Sequence, residues 1–321
     1  MRQPAVHLRH VFFAGMRGML AMWTGLVLFV VTVSANEQDV WVVSTRHLGS
    51  TCAISESAAF AVEHLVDDDC GRKHWRSAPL SELLDDPSRP LVVFIHGNRY
   101  DTASAKQQGR LLAHRLSCFS TTPVGARTVV FSWPSQKQGC LLADGRTKYQ
   151  RCYSDGHYLA SFLSRVDPNQ PIAVVGYSFG ALITLEAFDD LCAIDGKPLP
   201  CNATSLACRP GPLHVVLVAP AVRSDALAPC GPYRDALACF DRLTLIINSR
   251  DEALRFFPLL DERVDTPALG YVGMPRRWVS TETAFRSVDA TSIVGRRHSL
   301  TGYLDSSTLS AFIVSGVMTG L

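Results

Sequence analysis

Short, uniformly apolar runs alternate along the chain with longer stretches of mixed polarity. Leu91 to Ile95 is five consecutive apolar residues, and Thr128 to Phe131, Ile172 to Val175, Leu213 to Val218 and Leu243 to Ile247 repeat the pattern. Runs this short and this apolar predict strands buried on both faces. Val40 to Ser44 is β-rich and predicts an opening strand. Residues 158–166 (YLASFLSRV) have helical spacing and end before Asp167-Pro168. Phe179 to Cys192 predicts a second helix, and a last one is expected within Ser306 to Met318. Strands alternating with helices predict the α/β class, with a mostly parallel central sheet flanked by helices. Residues 66–90 are polar and contain proline, which predicts a connection on the sheet edge.

The first 35 residues follow a different pattern. Arg2, Arg9 and Arg17 lead, no acid is present, and Met19 to Val33 is apolar except at Thr24, Gly25 and Thr32. Val33-Ser34-Ala35 then offers the A-x-A-like end at which a signal peptidase cuts. Residues 1–35 are therefore expected to be an export signal, leaving Asn36 first. If uncleaved, the same run is just long enough to anchor the protein in a membrane. Residues 36–321 are expected to form a single domain, exported to the periplasm or beyond the cell. The net charge of +2 rests on the leader: without it 28 basic and 29 acidic residues remain. That balance gives no basic face for a nucleic-acid partner.

Cysteine usage points the same way. All ten cysteines follow Ala35. An even number in an exported chain predicts disulfides, with local pairs such as Cys201–Cys208 or Cys230–Cys239 as candidates. No C-x-x-C pair occurs, so neither a zinc site nor a thioredoxin-type centre is expected. Residues 193–212 hold four prolines besides Cys201 and Cys208, and predict a surface excursion.

The chemistry centres on Gly176-Tyr177-Ser178-Phe179-Gly180. G-x-S-x-G alone is a modest signal, but here a buried strand precedes it and an apolar helix follows. That is the setting of a nucleophile elbow, in which a sharp turn lifts the serine hydroxyl above the sheet. Serine needs a base to remove its proton. Only His214 and His298 follow Ser178. His214 begins a buried strand, whereas His298 stands in the polar loop Gly295 to Ser299, so His298 is the expected base. The acid should follow a strand that lies between them in sequence. Asp251 comes just after LTLII and is preferred. Asp225 is second, and Asp241 precedes its strand and so lies at the wrong end of the sheet. Glu252, beside Asp251, remains an alternative. The oxyanion needs two N–H donors: Phe179, after the nucleophile, and the loop His96-Gly97-Asn98-Arg99, where Asn98 is favoured over Arg99. His96 is expected to be structural.

In order, Ser44-Thr45-Arg46, LVVFIHGN, VVFSWPS, GYSFGA, VVLVAP, NSRDEAL and RRHSLTGY resemble an uncharacterised bacterial alpha/beta-hydrolase family known only as a domain of unknown function. The resemblance covers about residues 40–310. It implies an alpha/beta-hydrolase fold and the same triad of Ser178, Asp251 and His298. The chain departs from the family in Tyr177 and Phe179, where His and Met are usual, and in its cysteines. The expected function is hydrolysis of an ester, ahead of an amide or thioester, through an acyl-enzyme and without metal or organic cofactor. The expected partner is a small-molecule or lipid-like ester, with membrane contact only through an uncleaved N-terminus. A non-catalytic binding protein on the same scaffold, secreted or tethered, is the alternative.

Overall fold

A computed structural model of the chain describes residues 39–53, 55, 57–119, 125–192, 209–260 and 265–321. The predicted export segment, and the excursion at 193–212 up to Cys208, lie outside the described residues. The strands are β1 (Val40–Ser44), β2 (Ala61–Asp67), β3 (Lys73–Ser77), β4 (Leu91–Ile95), β5 (Arg127–Ser132), β6 (Ile172–Tyr177), β7 (Leu213–Val218), β8 (Arg242–Ile247) and β9 (Ala284–Asp289). They form one sheet in the order β3-β2-β1-β5-β4-β6-β7-β8-β9. β1, β5, β4, β6, β7, β8 and β9 pair in parallel, and only β2 and β3 run against their neighbours. Every predicted strand is present. The region 66–90 does lie at the sheet edge, but β3 and the single turn α1 (Leu80–Leu83) fall within it, so it is more than a connection.

The longer helices are α2 (Thr102–Phe119), α3 (Leu141–Leu163), α4 (Phe179–Leu191) and, at the end of the chain, α8 (Leu300–Asp305) and α9 (Ser307–Met318). Single turns α5 (Glu252–Arg255), α6 (Leu269–Val272) and α7 (Thr291–Val294) lie between them. Side chains alternate across a strand, so neighbouring residues of β6 report on opposite faces. Gly176 faces α4, where an added Cβ would meet Thr184 and Ala181. Val175 faces the other way, in register with Phe94 and Val130, and Val130 packs under Gly109 of α2. On that second face the His214 ring bonds the Val317 carbonyl of α9. α3 and α4 therefore cover one face, and α2 and α9 the other. Burial on both sides explains why β4, β6 and β7 are wholly apolar runs or nearly so.

The sequence misplaces one crosslink. Cys239 is bonded to Cys192, with Cα atoms 6.1 Å apart, and Cys230 is free. The cause is packing: the helical turn at 235–239 lies against the end of α4, where Phe188 and Phe240 meet edge to face at 5.0 Å. Among the described residues this is the one disulfide, and Cys201 and Cys208 fall outside them.

Candidate active site

All the parallel strands end at one edge of the sheet, and the loops that leave β4, β6 and β8 there, with the segment after β9, carry the predicted site. The first is the turn from β6 into α4. Ser178 has φ 54° and ψ −119°, a conformation that L-residues rarely adopt. Three backbone bonds hold it there. Its N–H donates to the Val218 carbonyl (3.0 Å), and its own carbonyl accepts from Ala181 (3.0 Å) and Ala221 (3.1 Å). Gly180 is required because a side chain would strike the Ile95 carbonyl of β4. The turn aims the Ser178 hydroxyl away from the sheet, just ahead of the α4 N-terminus, where partial positive charge collects.

Asp251 follows β8 and is fully buried. It is the N-cap of α5: Oδ1 accepts from the N–H groups of Ala253 (3.0 Å) and Leu254 (3.1 Å). Oδ2 faces His298, whose Nδ1 lies 2.7 Å away. The His298 Nε2 is 2.8 Å from the Ser178 Oγ. The imidazole ring stacks on Tyr177 at 5.3 Å between centroids, which limits its tilt. The two loops are laced together: Asn248 donates to the Gly295 carbonyl (2.8 Å), Glu252 N–H to the Arg296 carbonyl (3.2 Å), and Arg296 pairs with Glu252. Serine, histidine and aspartate thus stand in one continuous line of hydrogen bonds.

The rival residues lie elsewhere. Asp225 is ion-paired with Arg223, which lowers its pKa below the usual carboxylate range. Asp241 accepts from the Leu213 N–H (2.7 Å) at the opposite edge of the sheet. Glu252 is exposed and turned to Arg296. His214 is buried in β7 against α9.

The loop after β4 carries the second half of the site. Gly97 lies so near the elbow that a Cβ would stand 3.0 Å from the Tyr177 ring and 3.1 Å from Ser178 Cβ. The Arg99 N–H is taken by the Ser135 carbonyl (2.7 Å) and by Asn98 Oδ1 (2.8 Å), which removes it as a donor to a ligand. Asn98 and Phe179 both line the space over Ser178. His96 is completely buried, and burial lowers its pKa to about 3. Its Nδ1–H donates to the Gly97 carbonyl (2.9 Å), while Nε2 accepts from the Trp133 N–H (3.3 Å). It is a neutral strut of the loop.

The sequence motifs around residues 44 and 131 prove to be braces for this loop. The Trp133 indole N–H donates to the His96 carbonyl (2.8 Å), and the Ser135 hydroxyl to the Tyr100 carbonyl (2.9 Å). Arg46 reaches Ser132 Oγ (2.8 Å), Gln136 Oε1 (2.9 Å) and the Tyr100 carbonyl (3.0 Å). Thr45 donates to Asp155 (2.6 Å), whose pKa is raised by its burial. The sequence alone gives these residues no role, because their partners lie 35 to 110 positions away.

A cleft of about 690 Å³ opens over Ser178 and His298. Its walls are mainly apolar: Phe179 from α4, Leu254 and Phe257 after β8, and Leu141 and Leu142 from the start of α3. A model of the alpha/beta hydrolase family matches residues 92–314. The chain belongs to the alpha/beta-hydrolase family. Esterase B of Lactobacillus rhamnosis, solved in an inhibited form, aligns at 13% identity over 88% of this chain and 86% of its own, with a TM-score of 0.41. Esterase 2 of Thermogutta terrifontis, phosphoramylated by tabun, aligns at 12% identity over 78% of this hydrolase and 88% of its own chain, with a TM-score of 0.30. No curated protein matches this hydrolase.

Proposed function

We propose that the protein is an exported serine hydrolase that cleaves carboxylic esters through an acyl-enzyme. The observation that carries the reading is the line Ser178 Oγ, His298, Asp251, with separations of 2.8 and 2.7 Å. Ser178 Oγ attacks the ester carbonyl carbon while its proton passes to His298 Nε2. Asp251 accepts the Nδ1–H, sets the tautomer and stabilises the imidazolium. The N–H groups of Phe179 and Asn98 hold the oxyanion. The carbon–oxygen bond to the leaving alcohol then breaks, and His298 returns the proton to that oxygen. Water repeats the sequence on the acyl-enzyme, releasing the acid and restoring Ser178. The apolar walls support an ester with a hydrocarbon acyl group, and the Cys192–Cys239 bridge supports an oxidising compartment.

A fluorophosphonate probe tests the proposal. It should label Ser178 alone, and Ser178→Ala should lose both the label and the hydrolysis of p-nitrophenyl esters. Folded wild-type protein that takes no probe and cleaves no ester from acetate to palmitate would end the catalytic reading.

A further inference from the structure

Among the described residues six large apolar side chains are strongly exposed, and four of them line this one cleft. They are Leu141 (68% exposed), Leu142 (39%), Phe256 (58%) and Leu259 (50%). Isolated exposed leucines are ordinary. Four gathered on one opening form the kind of patch that marks an interaction site. Two come from the start of α3, and two from the turns that follow α5. Below them the buried rings of Phe257 and Phe179 continue the apolar lining to the Ser178 hydroxyl. A hydrocarbon chain could therefore pass from the rim to the nucleophile along a continuous apolar wall.

Among the described residues, the exposed charge around the rim is mainly positive. Arg99, Lys137, Arg255 and Arg297 are exposed in the segments that form the cleft. Among the described residues, the exposed carboxylates in the same segments are Asp101, which accepts from the Ser104 N–H at the start of α2, and Glu252, which is paired with Arg296. We propose that this rim seats the protein on a lipid surface bearing anionic headgroups, and that the ester cleaved is a long-chain acyl ester drawn from that surface. The inference rests on the serine-hydrolase reading above. Apolar side chains enter the acyl boundary while arginine and lysine meet the headgroups, the same division that holds amphipathic helices on membranes. A second copy of the chain is a poor occupant. A two-fold contact through the rim would set its cations against themselves.

The test uses the full chain with phosphatidylcholine vesicles containing one-quarter phosphatidylglycerol. Amide exchange should slow in the segments around Leu141–Leu142 and Phe256–Leu259 when vesicles are added, and stay unchanged in the middle of α2. This readout is local, so attachment through residues 19–33 does not imitate it. Leu141→Ser/Phe256→Ser should lower the rate on p-nitrophenyl palmitate in vesicles, relative to p-nitrophenyl acetate in solution, by about tenfold or more. Its melting temperature should stay within a few degrees of wild type, because both side chains are exposed. Probe labelling of Ser178 without rim protection or preference for the long chain overturns this inference and leaves the hydrolase reading standing. Rim protection without probe labelling supports the docking surface and defeats the hydrolase reading. Equal protection on pure phosphatidylcholine overturns the anionic surface. Rim protection that needs no vesicles and grows with protein concentration assigns the patch to a second copy, and also overturns the inference.

Discussion

Asp251 serves two structures with one carboxylate. Oδ1 closes the first turn of α5, and Oδ2 faces the His298 Nδ1. Asparagine keeps an oxygen for the cap but offers an amide where an acceptor is needed. Asp251→Asn should therefore lower kcat by about 10⁴-fold, as loss of a triad carboxylate does elsewhere, with the thermal melt nearly unmoved. Asp225→Asn breaks only a partly exposed pair with Arg223 and should change kcat less than about twofold. A reversal of the two results would move the acid to the loop after β7. His96 makes a separate demand, on stability. Folded, it stays neutral down to about 3, whereas in the unfolded chain it titrates near 6.5. Below 6.5 the unfolded state binds a proton that the folded state refuses, so stability is lost as pH falls. The loss is about 1.5 kcal/mol between about pH 6.5 and 5. His157, whose pKa is raised by Asp190, acts in the opposite direction, so the comparison must be with a variant. In urea titrations His96→Asn should be less stable throughout, with a shallower fall over this interval. An equal slope would show that His96 accepts a proton within the fold.

The loop after β4 acts as an element only because others hold it. Arg46, from just beyond β1, spans Ser132, Gln136 and the Tyr100 carbonyl, while Trp133 holds His96. Arg46→Met would release that end of the loop without touching the cleft. We expect kcat to fall by about tenfold to a hundredfold, less than for loss of a direct oxyanion donor, with KM for a short ester little changed. A rise in KM at constant kcat would instead make Arg46 a determinant of substrate binding. This brace marks the limit of what was legible in the sequence. β4 to β8 could be read because strands covered on both faces carry a short apolar run, and Ser178, Asp251 and His298 could be picked out because the first two each follow such a run and only two histidines come after Ser178. β9 could not, since its AFRSVD has no fully buried position. Nor could α2, whose 18 residues are mostly polar and bury only one side. α3 begins at Leu141, well before the expected Tyr158, because buried Asp144, Lys148 and Asp155 break its apolar period. Those side chains are hydrogen-bonded instead, through Gln138, Thr45 and Arg151. Polar satisfaction across distant segments leaves no periodic trace.

For the whole molecule, the Cys192–Cys239 bridge joins two elements that position Ser178 and Asp251. Cys192 ends α4, the helix behind Ser178, and Cys239 closes the turn that leads into β8, the strand before Asp251. The crosslink spans 47 residues, so it removes substantial freedom from the unfolded chain. Loop-closure entropy for that span corresponds to about 4 kcal/mol, and native bridges commonly return somewhat less. Within the fold, β6, β7 and β8 are already joined by continuous parallel pairing. Losing the bridge should therefore cost stability and leave the site geometry in place. Cys192→Ala/Cys239→Ala should melt roughly 5–10 °C below wild type. At 25 °C it should still take the fluorophosphonate probe at the wild-type rate. Wild-type protein treated with a thiol reductant should move to the melting temperature of the double variant. Two results would reject this account: a reductant with no effect on the wild-type melt, or a double variant that stays folded but labels slowly. The second would mean that the bridge, rather than the strand ladder, sets the spacing between Ser178 and Asp251.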